Sequence, residues 1–156
     1  MKINQKIIKL EADISEYDDF FLIGILSTFE DYQLAFQLNR LLSLNLEKDD
    51  DYIANNHSFS MFCSQNEIEN IEVKLLENKI NMTNETAQDF GIFSIKTVEQ
   101  KFVFPELNKI DFLLKVSYEN KNKTNKYIDK LQKTNFINTV VKIDLKSIKI
   151  KRNLLF

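Results

Sequence analysis

Nucleophilic catalysis of the Ser-His or Cys-His kind needs an imidazole beside the nucleophile, and this chain holds one histidine, His57. The one cysteine, Cys63, follows six residues later, and on an extended strand the two side chains point to distant positions. Cys63 instead continues an alternating Phe59 and Met61 face, as a core residue does. His57 reads as a loop residue at the start of that strand. Structural zinc takes four Cys or His ligands, and His57 and Cys63 are the whole supply. Asp49, Asp50 and Asp51 offer oxygen donors, yet consecutive acids lack the alternate spacing and turn glycine of a calcium loop. Phosphate cradles depend on clustered glycines, whereas Gly24 and Gly91 stand far apart. The expectation is no metal and no cofactor. What remains is a pair of carboxylates just after Pro105, Glu106 and Asp111. With Arg40 or a lysine as electrostatic help they would make an acid-base site of an unfamiliar enzyme. The plainer reading of the same residues is a rigid corner between two strands.

The elements that must position these groups follow from periodicity. With 156 residues and 18.4 kDa, the chain suits a single domain over 1–156. Phe20 to Leu26 (FFLIGIL) has no polar residue, as in a strand buried on both faces. Gly24 within it lets another part of the chain approach closely. Thr28-Phe29-Glu30-Asp31 resembles a capping box, with Thr28 supplying the cap, and Leu34, Ala35, Leu38, Leu41 and Leu42 form one helical stripe. This predicts a helix over about 30–43. Glu47 to Asp51 (EKDDD) reads as a solvated loop. Strands at Phe59 to Cys63 and at Ile71 to Leu75 alternate with period two and predict a hairpin. Asn81 to Asp89 reads as a polar loop before a long strand at about 92–104, which Pro105 ends.

Ile110, Phe112, Leu114, Val116 and Tyr118 alternate with polar residues and predict an amphipathic strand. Asn120 to Asn125 reads as a polar turn, Tyr127, Ile128 and Leu131 mark a short helix over 124–133, and Thr139 to Leu145 reads as a last strand. The spaced phenylalanines, Phe59, Phe62, Phe93, Phe102, Phe104 and Phe112, suit a core better than a base-stacking platform. Two strand-helix units separated by antiparallel strands predict an α+β fold: a mostly antiparallel sheet with two helices packed on one face, ferredoxin-like with extra strands.

The stretch Phe104-Pro105-Glu106-Leu107-Asn108-Lys109-Ile110-Asp111-Phe112 resembles the signature of the bacterial IPExxxVDY family. Pro105, Glu106 and Asp111 match it outright, and Phe104, Ile110 and Phe112 keep its hydrophobic positions in character. Glu30-Asp31-Tyr32 and the ending Asn153-Leu154-Leu155-Phe156 are similar to that family as well. The resemblance implies a bacterial cytoplasmic protein and transfers no mechanism. Read physically, Pro105 keeps Phe104 extended and suits the first position of a helical turn. Glu106 then sits in that first turn, where a carboxylate is favoured, and Asp111 opens the next strand on the face opposite Ile110 and Phe112.

Charge completes the sequence reading. Residues 1–120 hold 11 Lys or Arg against 21 Asp or Glu, a net of −10, while residues 121–156 hold 10 against 2, a net of +8. Such separation marks an acidic partner, head-to-tail self-association, or two faces attracting each other within one fold. Lys142, Lys146, Lys149, Lys151 and Arg152 form the basic end. The first three would share a face if 145–151 were helical, and they predict a charge-driven contact with an acidic protein or RNA. The strand at 92–104, with Lys96, Glu99 and Lys101 as its only charges, predicts a homodimer through a sheet edge. The longest apolar run, Phe20 to Leu26, is too short to cross a bilayer, and Met1 to Asp19 lacks the apolar core of a signal peptide. A soluble, cytoplasmic, non-catalytic binding or regulatory module is the leading expectation, and the carboxylate-pair enzyme is the alternative.

Overall fold

A computed structural model describes residues 20–86, 95–117 and 124–156. Phe20–Leu26 forms strand β1 and Asp31–Leu42 forms helix α1. There follow β2 (Glu47–Lys48), β3 (Tyr52–Ala54), β4 (His57–Phe59), β5 (Met61–Asn66) and β6 (Ile71–Glu77). The chain continues through β7 (Lys79–Thr86), β8 (Ile95–Phe102), β9 (Phe112–Ser117), α2 (Thr124–Gln132) and β10 (Thr139–Lys142). Six strands make one sheet in the order β10-β1-β9-β6-β5-β2, antiparallel at every pairing. β3-β4 and β7-β8 are separate two-stranded ribbons. Because α1 lies between β1 and β6 in the chain, and α2 between β9 and β10, the strands β10, β1, β9 and β6 take the fourth-first-third-second order of a β-α-β-β-α-β unit. β5 and β2 extend the sheet beyond β6. The α+β architecture is the one the periodicity predicts.

β1 is apolar throughout because both of its faces are covered. Phe21, Ile23 and Ile25 pack with Leu34, Ala35, Leu38 and Leu42 of α1 and with Leu131 of α2, so both helices lie on one face of the sheet. Phe20 and Leu22 enter a second cluster, roofed by Phe59 of the β3-β4 ribbon, Phe104 and Ile110 of the corner after β8, and Ile148, Leu154 and Phe156 near the C-terminus. The three-residue strands β3 and β4 are joined by Asn55 and Asn56 at φ 50° and 62°. Two left-handed residues match the twist of a tight hairpin, and asparagine tolerates them.

Several expectations change for identifiable reasons. Helix α1 is capped by Glu30 rather than Thr28: Gln33 Oε1 accepts from the Glu30 N–H at 3.1 Å, the reciprocal half of a capping box two residues later. Glu47 and Lys48 are not loop but the edge strand β2, paired with Cys63 and Phe62. Two exposed polar residues carry no alternation to read. Asn81 to Thr86 is strand, not loop, and residues 87–89 lie outside the described part. Residues 81–83 of β7 and 96–100 of β8 are exposed on both sides of their ribbon, which is why no apolar pattern marks them. The strand expected at 92–104 is β8; residues 92–94 are outside the described part, and Val103 and Phe104 already belong to the corner.

Phe62 and Ser64 turn to the helix face, so Cys63 is half-buried on the opposite side, and Phe59 belongs to another ribbon. Ile110 and Phe112 do not share a face. Ile110 fills the second cluster and Phe112 the first, because the chain is still turning at Asp111. The last strand stops at Lys142, and 145–151 is no continuous helix: 3-10 turns at Leu145–Ser147 and Lys151–Leu155 flank extended Ile148. Lys142, Lys146 and Lys149 therefore form no helical stripe. Of the turn expected at Asn120 to Asn125, residues 120–123 lie outside the described part and Thr124 opens α2.

Gly24 faces the second cluster, where a Cβ would stand 3.0 Å from both Ile110 Cδ1 and Ile143 Cδ1. A single methyl meets only the mobile ends of two isoleucines, whereas a branched side chain must displace both. Gly24→Ala is expected to stay within about 1 kcal/mol of the native stability and Gly24→Val to lose about 2 kcal/mol in urea unfolding. Equal stability of all three proteins would show that this face is loosely packed.

Candidate functional site

The motif residues lie in the corner between β8 and β9, and its centre is a residue that the sequence did not single out. Asn78, between β6 and β7, is fully buried at 0% exposure. Its Nδ2 donates to the carbonyls of Leu107 at 3.0 Å and Ile110 at 2.9 Å, and its Oδ1 accepts from the Phe104 N–H at 2.9 Å. Its main chain adds two bonds: its N–H donates to the Asp111 carbonyl at 2.8 Å, and its carbonyl accepts from the Val103 N–H at 3.0 Å. One amide thus supplies the partners that residues 103–111 lack after leaving the strand ladder.

Pro105 does what its chemistry predicts. Phe104 is extended at φ −121° and ψ 94°, and Pro105 opens the 3-10 turn Pro105–Leu107. The two motif carboxylates hold different partners. Glu106 Oε1 accepts from the Lys149 N–H at 2.7 Å, tying the corner to the C-terminal segment. Asp111 Oδ2 accepts from the Ser27 N–H at 3.1 Å, and its Oδ1 pairs with Lys79 at the base of β7. Ser27 in turn donates its hydroxyl to the Phe136 carbonyl at 2.8 Å. Glu106 and Asp111 therefore pin separate connections and do not converge as an acid-base pair. Arg40 lies on α1 with its guanidinium 5.9 Å from the Phe36 ring centre, among neither of them.

The other residues with candidate chemistry are dispersed. His57 pairs with Ala54 in the β3-β4 ribbon, while Cys63 lies in the main sheet opposite Glu47 and Lys74. Burial first, then Glu72, pushes the Cys63 thiol up, away from thiolate character. Among the described residues no three His, Cys, Asp or Glu side chains cluster as a metal site. Of the residues similar to the family near α1, Glu30 caps the helix, Asp31 accepts from the Ser60 hydroxyl, and Tyr32 is exposed.

The C-terminal residues are built into the second cluster. Asn153 Nδ2 donates to the Val103 carbonyl at 2.9 Å, and Leu154 and Phe156 are buried while Leu155 is 69% exposed. Beneath them lies Lys115 of β9, another residue not singled out by its sequence context. Its Nζ donates to the main-chain oxygens of Leu154 at 2.7 Å and Phe156 at 2.9 Å, and stands 4.6 Å and 5.2 Å from the ring centres of Phe20 and Phe156. Burial, reinforced by the Lys74 charge and opposed by Glu72, lowers the Lys115 ammonium to about 8.

The basic residues face outward. Lys142, Lys146, Lys149 and Arg152 are exposed, and among the described residues none is joined to a carboxylate by an ion pair. Lys151 turns back, its Nζ donating to the Leu145 carbonyl. On α2, which packs beside β10, Lys126 and Lys130 are exposed as well, as is Lys133 directly after it.

Two outcomes test this arrangement. Asn78→Ala leaves the Phe104 N–H and two carbonyls buried without partners and is expected to cost about 3 kcal/mol in urea unfolding; Asn78→Asp, which cannot donate, should be no better. A loss below about 1 kcal/mol would show that the corner holds itself. For Lys115, the folded value of about 8 lies below the ordinary 10.5, so the unfolded chain binds more protons between those limits and this group adds stability as pH rises through that window. The wild-type minus Lys115→Met difference in stability should therefore grow from pH 8 to 10. A flat difference would contradict the buried ammonium.

No family model, curated protein or solved structure matches this chain, so the likeness to the IPExxxVDY signature rests on the residues quoted for it.

Proposed function

We propose that this protein is a non-catalytic interaction module of the bacterial cytoplasm, related to the IPExxxVDY proteins it resembles, which receives an acidic protein surface on its basic C-terminal side. The observation that carries this reading is how the charged groups are used. Glu106 and Asp111, which an enzyme would need free and convergent, each accept from a main-chain N–H of a distant segment. Lys142, Lys146, Lys149 and Arg152 instead face solvent with no ion-pair partner among the described residues. Exposed like charges in one region repel each other and raise the local potential, a cost that an acidic partner relieves.

RNA is the less favoured partner. Residues 142–156 hold no glycine, and their one aromatic residue, Phe156, is buried rather than offered for stacking. Pairing of two copies through a sheet edge belongs to the same reading, as one way of meeting the acidic surface. Among the described residues, no helix is long and apolar enough to cross a membrane.

Polyglutamate and single-stranded RNA of equal charge, titrated against the protein and read by fluorescence anisotropy, test the proposal. Polyglutamate should bind, should weaken by about tenfold between about 0.05 M and 0.2 M salt, and should lose most of its affinity in the triple variant Lys142→Glu, Lys146→Glu, Lys149→Glu. Tighter RNA binding, or polyglutamate binding untouched by the triple variant, would overturn it.

A further inference from the structure

We infer that the acidic surface received on the basic side is the opposite sheet edge of a second copy of this chain, so that copies add head to tail. This rests on the proposed function and names the partner. The sheet order places β10 at one edge and β2 at the other. Lys142 lies on β10, Lys146 and Lys149 follow it, α2 beside it carries Lys126 and Lys130, and Lys133 comes directly after that helix. At the far edge Glu47 lies on β2, and Asp49, Asp50 and Asp51 come directly after it. All of these side chains are exposed. Four strands separate β10 from β2, so Lys142 cannot neutralise the acids of 47–51 within one molecule.

Strand direction makes the match geometric as well as electrostatic. Every neighbouring pair in the six-stranded sheet is antiparallel, so β10 and β2 run in opposite directions. When β2 of one copy lies beside β10 of the next, the alternation continues across the junction. Among the described residues neither strand has a partner on its outer side, which leaves main-chain groups to bond there. Pairing of like edges about a two-fold axis would set Lys142 against Lys142, or Asp49 against Asp49, and like charges oppose it. The favoured contact is therefore heterologous, and a heterologous contact that does not close grows with concentration.

Sedimentation velocity over a rising concentration series tests this on the whole chain. In about 0.05 M salt the mass should climb beyond a dimer, and in about 0.3 M salt it should fall back toward monomer. The basic-edge variant (Lys142→Glu, Lys146→Glu, Lys149→Glu) and the acidic-edge variant (Asp49→Lys, Asp50→Lys) should each be monomeric alone. Mixed, the two variants are complementary both at their intact edges and at their charge-reversed ones, so alternating copies should add and the mass should climb again. If the lysine substitutions impair folding by circular dichroism, Asp49→Ser with Asp50→Ser should still lower the mass. A wild-type protein that stays monomeric in low salt, or a closed dimer indifferent to the acidic-edge substitutions, would overturn the inference. Polyglutamate binding on the same samples separates the two levels: a monomer that binds polyglutamate sinks only the self-partner, and one that does not bind it sinks the basic interface too.

Discussion

An amide buried away from water must find every partner within the chain, and Asn78 finds all of its own in one corner. The three bonds of its side chain hold residues 104, 107 and 110, and its main chain holds 103 and 111. Because that corner delivers the chain from the β7-β8 ribbon into β9, the bonds set where the third central strand enters the sheet. The constraint spreads further. The Val103 carbonyl accepts from Asn153, and so the placing of the C-terminal turn, with Leu154 and Phe156, depends on the same corner. In low dielectric such a network is high in stakes: complete, it specifies one arrangement, and broken, it leaves several groups unpaired at once.

The motif carboxylates belong to this construction. A carboxylate that accepts from a main-chain N–H of a distant segment works as a clamp, because a charge-assisted bond joins parts that no ladder joins. Glu106 clamps the corner to the segment at Lys149, and Asp111 clamps it to the β1-α1 turn at Ser27. The conspicuous spacing of Pro105, Glu106 and Asp111 is thus a record of chain geometry, with each acid set to meet a different neighbour.

Charge is distributed on a larger scale than the corner. Lys142 and the acidic run at 47–51 are set apart because β10 is placed at one edge of the sheet and β2 at the other. A permutation that placed β10 beside β2 would have set Lys142 near Glu47 within one molecule.

Elements that bury a face left their period in the sequence. FFLIGIL is continuous because β1 is covered on both sides, the stripe of α1 matches its single buried side, and the β5-β6 hairpin and α2 were legible for the same reason. Even Pro105 could be read, since its ring restricts the backbone whatever surrounds it. β2 and β7 were not legible, because exposed strands are held by main-chain pairing and carry no apolar alternation. Asn78 and Lys115 look, in sequence, like ordinary polar residues at a strand end and within a strand. Their roles depend on partners 26 to 41 residues away. Local pattern records only whether a side chain meets apolar surface, whereas which carbonyl or ring it meets is decided when distant segments close upon it.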